Sequence, residues 1–245
     1  MLFRSSLMYG NNEVGTIQPI EQVVKFTKDK GIMLHVDAVQ ALGFVELNLS
    51  LLPIDFMSFS AHKVGGAKGT GALYIADRDS IRPLLYGGNQ ERSLRAGTEN
   101  TAGIVGFAAA AVLAKEERAS KRAYMLALRE TMLNTLLSEL HPYVPVVNGH
   151  PSQFLPHILN ISFPGISTET MLMNLDLDGV AASSGSACSS GSLEISHVLK
   201  AMKLPDDVTQ SAVRFSFGWG TSFEDVQEAA RITANIVRRL LKPNK

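Results

Sequence analysis

The sequence predicts an α/β protein in two lobes, on three observations. Short apolar strands alternate with segments of helical spacing, polar residues suited to chemistry stand at strand ends, and a charged stretch near residue 118 interrupts the pattern. Residues 19–30 form the first predicted helix: Ile20, Val23, Val24 and Phe26–Thr27 recur near helical spacing, Pro19 suits the first turn and Gly31 the exit. Residues 32–36 read as a short buried strand ending at Asp37. A second strand, 56–59, ends in Ser60-Ala61-His62-Lys63, and a third, 72–75, follows the glycine-rich stretch 64–71. Such strands suit a sheet covered on both faces. Ahead of them, Leu7–Tyr9 reads as the end of a strand with Asn11-Asn12-Glu13 as loop chemistry at its tip.

From Asn100 to about Leu140 the spacing is helical, alanine-rich and then charged, with a boundary at 115–122. A strand at 158–163, a helix at 168–175, a small-residue loop at 181–192, a helix at 194–202 and a strand at 213–217 follow. The last helix opens with Thr221 and Glu224 in capping-box spacing and carries Val226, Ala230, Thr233, Val237 and Leu240 on one face. The predicted lobes are 1–118 and 119–245.

Composition excludes several classes. With 23 basic and 23 acidic side chains in 245 residues the formal charge is +0, which removes the whole-protein electrostatic case for nucleic acid or an anionic membrane. A single cysteine makes no internal disulfide, and the expected setting is a reduced, soluble, cytoplasmic one. The most apolar run, 104–114, is too short to span a bilayer, and residues 1–6 are too short for a secretory signal. The six histidines show no metal-ligand spacing.

Three features carry chemistry. Asp37 and Lys63 each follow a strand, where open α/β sheets place ligands. A carboxylate for a protonated pyridine nitrogen and an amine for a Schiff base are what a pyridoxal phosphate site requires, with Ser60 and His62 beside the lysine as phosphate donors. A helix-capping aspartate and a solvated lysine are the other reading of that pair. Cys188 lies among serines, glycines and one alanine, in a stretch that anchors no core and suits a reactive thiol; a small buried cysteine is the alternative. Arg214 interrupts the apolar strand Ala212-Val213-Arg214-Phe215 and needs an anion, either a substrate carboxylate or an internal acidic partner.

Taken in order, Asn11-Asn12-Glu13-Val14-Gly15, His35-Val36-Asp37-Ala38 with Gln40, Ser58-Phe59-Ser60-Ala61-His62-Lys63, Gly87-Gly88, Glu91-Arg92, Arg95-Ala96-Gly97-Thr98, Ser184-Gly185-Ser186-Ala187-Cys188 and Val213-Arg214-Phe215-Ser216 resemble the cysteine desulfurases of the NifS/IscS type. Those belong to the class V aminotransferase group, with the pyridoxal phosphate fold type I architecture. The resemblance runs from about residue 7 to the C-terminus. It implies part of a large domain with a mainly parallel sheet (1–118) and a smaller C-terminal α+β domain bearing the cysteine loop (119–245). Family members extend further at the N-terminus by roughly one small domain. Ala67 and Ile195 stand where the family often has proline, and Gly218-Trp219-Gly220 departs from its commoner glycine-arginine stretch.

The resemblance implies a role for each matched residue. Lys63 binds the cofactor as a Schiff base and moves protons at the substrate Cα, and Asp37 holds the pyridinium nitrogen. Gln40 and Asn12 contact the phenolic-oxygen region, while Ser60 and His62 hold the phosphate. Thr98 reaches the neighbouring subunit's cofactor phosphate in a homodimer. Arg214, with Asn12, binds L-cysteine. Cys188 takes the sulfur as a persulfide, releases alanine, and passes sulfur to an iron–sulfur scaffold or a tRNA-thiolation relay; it also stands as a transient ligand of a nascent cluster. Two alternatives accompany this expectation. One is a related class V aminotransferase or selenocysteine lyase, and the other a truncated inactive homologue acting as a dimerisation or sulfur-carrier-binding protein.

Overall fold

The computed structural model describes residues 4–185 and 195–241, which form two compact units. The first comprises the chain up to Gly10 and Gln18–Ala119; the second comprises Asn11–Ile17 and the chain from Ser120 onward. The segment Asn11–Ile17 thus belongs to the second unit although its sequence position lies within the first 118 residues.

The first unit is built on a four-stranded sheet of β1 (Arg4–Met8), β2 (Met33–Asp37), β3 (Phe56–Ser60) and β4 (Gly71–Ile75), in that spatial order. β1, β2 and β3 are mutually parallel and β4 is antiparallel to β3, so the sheet is mainly parallel. Parallel neighbours need a crossover, and the helix Ile20–Asp29 supplies it between β1 and β2. That helix buries Ile20, Val24 and Thr27. Phe26, placed on the apolar side by spacing, is instead 60% exposed: the buried stripe is narrower than the run of apolar residues. After β3 a single 3₁₀ turn, Ala61–Val64, ends at Gly65, whose φ of 87° is a left-handed conformation that glycine adopts without strain.

The helical stretch after Asn100 is two helices, Thr101–Glu116 and Arg118–Leu140, interrupted at Glu117. Asn100 caps the first through its side chain, which accepts the N–H of Gly103 at 3.1 Å. This helix packs on the 3₁₀ turn, with Phe107, Ala110 and Ala114 against Ala61 and Val64.

The second unit carries a three-stranded antiparallel sheet: β5 (Val146–Asn148), β6 (Ile158–Ser162) and β7 (Ala212–Ser216). β6 is buried along its whole length, so both of its faces are covered. Polar side chains of β5 and β6 pair with one another: Asn148 Nδ2 donates to Asn160 Oδ1 and Ser162 Oγ, both at 2.7 Å, and the Ser162 hydroxyl donates to the Val208 carbonyl at 2.7 Å, while Asn148 Oδ1 is buried with no hydrogen-bond partner among the described residues. Helices Arg118–Leu140, Thr168–Leu177 and Phe223–Leu241 supply the apolar core, including Met125, Leu128, Leu136, Met171, Leu175, Ala230 and Val237. Leu136 is 0% exposed. Its replacement by alanine is expected to cost about 2–5 kcal/mol, read as a lower urea midpoint at unchanged slope.

Two helix starts differ from the sequence expectation. The short helix His197–Ala201 begins after Ser196, whose hydroxyl accepts the N–H groups of Val198 and Leu199 at 3.1 and 3.2 Å. The last helix is capped by Ser222 and Asp225, not by Thr221 and Glu224. The Ser222 hydroxyl accepts the Asp225 N–H at 3.0 Å and Asp225 Oδ2 accepts the Ser222 N–H at 3.1 Å, a capping box one residue along. Among the described residues no helix is long and apolar enough to cross a membrane.

Candidate functional site

The first unit gathers four of the singled-out residues, Asp37, Ser60, His62 and Lys63, at one end of its sheet. Asp37, the last residue of β2, pairs with Ser58 of the parallel strand β3. β3 runs on to Ser60, and the 3₁₀ turn that follows carries His62 and Lys63. Carboxylate, hydroxyl, imidazole and amine therefore come from the carboxyl ends of two neighbouring parallel strands, where open α/β sheets hold ligands. Ala61 and Val64 are buried while His62 and Lys63 are exposed, so the turn is fixed by its apolar pair and presents its basic pair outward.

Local bonds orient these groups. Asp37 Oδ1 accepts the Val39 N–H at 2.9 Å, which sets the carboxylate plane; Oδ2 accepts no hydrogen bond among the described residues. The Asp37 carbonyl takes the Tyr9 N–H at 2.8 Å, continuing the β1–β2 ladder past its last pair. Ser60 Oγ and His62 Nδ1 lie 2.7 Å apart. Gln40 is half-buried in the turns that follow Asp37. Thr98 is exposed in the coil before the Thr101–Glu116 helix, and no hydrogen bond joins it to the others among the described residues.

Beside Asp37 runs a polar row to which the sequence assigns no role. Ser6 Oγ bonds His35 Nδ1 at 2.8 Å, and His35 Nε2 makes a short contact with Ser58 Oγ, so one imidazole links β1, β2 and β3. The available signal was the two-residue spacing of His35 and Asp37, which puts both on one face of a strand.

The second unit holds Asn12 and Arg214. The 11–16 loop is preformed: Asn11 Oδ1 accepts the N–H groups of Glu13 and Val14 at 2.8 and 2.9 Å, and Gly15 turns the chain at a φ of 75°. Arg214, in β7, donates from Nη1 to the Asn12 carbonyl at 2.8 Å. Its Nε is buried and has no hydrogen-bond partner among the described residues. Burial pulls the guanidinium below its ordinary pKa, and the nearby Glu13 charge opposes that; arginine stays protonated regardless. Cys188 lies outside the described residues.

These donor sets fit the groups the sequence implies. A half-buried carboxylate with one oriented oxygen suits a protonated ring nitrogen. An adjacent hydroxyl and imidazole suit a phosphate, and an exposed amine on a rigid turn suits a carbonyl carbon. The orphaned N–H of Arg214 calls for an acceptor, and a carboxylate is the acceptor whose geometry matches a guanidinium edge.

The model of the aminotransferase class-V family matches residues 5–228. The cysteine desulfurase IscS of Methanosarcina thermophila is 43% identical over 235 residues, covering 96% of this chain and 57% of that protein. A solved NifS-like protein superposes with a TM-score of 0.86 at 37% identity, over 97% of this chain and 62% of that one. A solved complex of SspA with cysteine superposes with a TM-score of 0.69 at 30% identity, over 88% and 58% of the two chains. The chain thus spans about three-fifths of the length of the proteins it matches.

Proposed function

The chain belongs to the aminotransferase class-V family, and from that membership we propose that it carries cysteine desulfurase chemistry: L-cysteine is converted to L-alanine and Cys188 receives the sulfur. The observation that carries the reading is the convergence of Asp37, Ser60, His62 and Lys63 at the ends of two parallel strands. Desulfurases among the relatives and the complex of SspA with cysteine support L-cysteine as substrate.

Pyridoxal phosphate, when bound, supplies an electron sink that lets the substrate Cα lose its proton. The residues of this chain do the rest. Asp37 holds a proton on the ring nitrogen with its unengaged oxygen, Ser60 and His62 hold the phosphate, and Gln40 and Asn12 hold the phenolic-oxygen region. Lys63 anchors the cofactor and moves the proton at the substrate Cα. Arg214, with Asn12, holds the substrate carboxylate. Cys188, as thiolate, attacks the substrate sulfur, and the S–S bond forms as the substrate Cβ–S bond breaks. The electron pair of that bond stays with the carbon fragment, which takes up protons and leaves as alanine, and the sulfur remains on Cys188 as a persulfide. Thr98 serves the neighbouring subunit's phosphate in a homodimer. An iron–sulfur scaffold or a sulfur-relay protein then takes the sulfur, in a reducing cytoplasmic setting where a lone thiol stays free.

The test is a visible spectrum of the purified chain with pyridoxal phosphate, then L-cysteine with an assay for alanine. The expected result is an absorption band that borohydride fixes to Lys63, with alanine formed. A folded chain that takes up no cofactor would overturn the proposal. Arg214→Lys keeps the charge but loses the planar fork, so the KM for L-cysteine is expected to rise about 10- to 100-fold, with a smaller change in kcat. Steady-state kinetics across L-cysteine concentrations check this.

A further inference from the structure

A buried amide in the middle of β6 has no part in the chemistry above. Asn160 is 1% exposed in a strand buried along its whole length, where an apolar side chain would pack without needing partners. Its hydrogen bonds have a fixed polarity. The Val208 carbonyl can only accept, so the Ser162 hydroxyl gives its proton there. That leaves the Ser162 oxygen as an acceptor, and Asn148 Nδ2 serves both it and Asn160 Oδ1 at 2.7 Å. Asn160 Nδ2 is thereby turned to the far side, where it donates to the Glu13 carbonyl at 3.1 Å, again a group that can only accept. Asn148 Oδ1, without a partner among the described residues, follows from the same polarity. Turning that amide over would set oxygen against oxygen at Asn160.

The carbonyl at the end of this chain of bonds lies beside the arginine. Asn160 and Arg214 stand opposite each other in the β6–β7 ladder. Arg214 uses its own N–H and C=O on Ser183, at 2.7 and 3.2 Å. Asn160 and Arg214 are therefore a non-hydrogen-bonded pair, the kind that brings side chains closest on one face. Side by side, they take consecutive carbonyls of one loop: Arg214 Nη1 that of Asn12 at 2.8 Å, and Asn160 Nδ2 that of Glu13. The same loop carries a competitor for the guanidinium. The Glu13 carboxylate is 3% exposed and its charge acts on Arg214, yet no ion pair joins the two among the described residues. Its Oε2 accepts the Ser196 hydroxyl proton instead, at 2.5 Å.

We propose that Asn160 is a positioning residue for the substrate carboxylate. By holding the Glu13 carbonyl it fixes the loop so that Arg214 bonds the Asn12 carbonyl rather than the Glu13 carboxylate, and keeps its Nε–H for L-cysteine. The buried Nε, with no partner among the described residues, is the donor so preserved. Opposite charges attract strongly in a low-dielectric interior, so a guanidinium and a loop free to turn would close on each other through Glu13. A substrate carboxylate would then have to displace that pair. The role of Arg214 as carboxylate site rests on the desulfurase reading; the hold of Asn160 on the loop does not.

The test compares Asn160→Ala with the double variant Asn160→Ala/Glu13→Gln. In the cofactor-loaded enzyme, Asn160→Ala is expected to raise the KM for L-cysteine about tenfold with kcat within about twofold of the parent. Binding of L-alanine, which has the carboxylate but no sulfur, is expected to weaken by about the same factor in a calorimetric titration. Adding Glu13→Gln, which still accepts the Ser196 proton but carries no charge, is expected to recover most of that loss. In hydrogen exchange, Asn160→Ala is expected to speed the amides of residues 13–15 about tenfold or more, while those of β7 keep the parent's protection. An unchanged KM would overturn the proposal. So would a rise in KM that Glu13→Gln does not relieve, or exchange that quickens through β5, β6 and β7 alike, since both mark a merely structural role. If the unsubstituted enzyme binds L-alanine but forms none from L-cysteine, the desulfurase reading falls, and the binding and exchange results decide the role of Asn160. A parent that binds neither amino acid overturns both. Asn160→Thr, branched as a buried strand prefers and one bond shorter, carries the same expectations should the alanine variant fail to fold.

Discussion

Lys63→Ala is expected to abolish alanine formation from L-cysteine, by at least about a thousandfold, together with the visible band and its fixation by borohydride. The reason is that one amine is given two tasks: it anchors the cofactor, and it moves the proton at the substrate Cα. Neither can be taken over by water at a comparable effective concentration. The fold does not depend on this side chain. Lys63 is exposed, and its turn is held by Ala61 and Val64 against Phe107, Ala110 and Ala114. The melting temperature is therefore expected to stay close to that of the parent, since surface substitutions away from caps and cores cost within about 0.5 kcal/mol. Spectroscopy and thermal melts on the same preparation separate lost chemistry from lost structure. A Lys63→Ala chain that still released alanine at the parent rate would remove lysine from the proposed machinery.

Much of this arrangement is legible in the sequence, and the physical reason is local. β2, β3 and the helix between β1 and β2 announce themselves by apolar runs bounded by glycine or proline. A polar residue at the end of such a run stands where a parallel sheet exposes its strand ends. What was not readable depends on residues that meet across long stretches of chain. Asn11-Asn12-Glu13 reads as loop chemistry, yet nothing nearby tells that the Ser196 hydroxyl returns to the Glu13 carboxylate, 183 residues along the chain. The row through His35 needs the register that sets Ser6 opposite it. The capping box shows a subtler limit. Thr221/Glu224 and Ser222/Asp225 have the same spacing, and only the bonds show that the second pair is used. Similarly, apolar spacing over 20–29 could not tell that Phe26 faces away from the core. Likewise the segment Asn11–Ile17 leaves the first unit for the second because its backbone pairs there, Ile17 N–H with the Gln153 carbonyl at 2.9 Å and Gly15 carbonyl with Leu155 N–H at 2.8 Å. Sequence order alone does not encode that excursion.

Cys188→Ser should separate the two halves of the proposed reaction. Serine preserves size and polarity, so cofactor uptake, the visible band and borohydride fixation to Lys63 are expected to survive. Sulfur transfer is not, because a hydroxyl is almost wholly protonated near neutral pH and is a weak nucleophile without an adjacent base, whereas a thiol is partly ionised and strongly nucleophilic. The decisive measurement is a single-turnover assay with no external thiol present. The parent should form about one alanine per active site in a burst and then stop, its thiol having been converted to a persulfide. The serine variant should show no burst, with alanine formation lower by about three orders of magnitude. An undiminished burst from Cys188→Ser would mean that sulfur leaves without this thiol, and the family membership would then have to be read as a lyase or transaminase activity built on the same Asp37–Lys63 frame. A missing burst with an intact band would assign sulfur acceptance to Cys188 and leave the cofactor chemistry with Lys63. Paired with Lys63→Ala, which is expected to lose the band as well, the two variants tell a chain that binds cofactor but cannot accept sulfur from one that cannot bind cofactor at all.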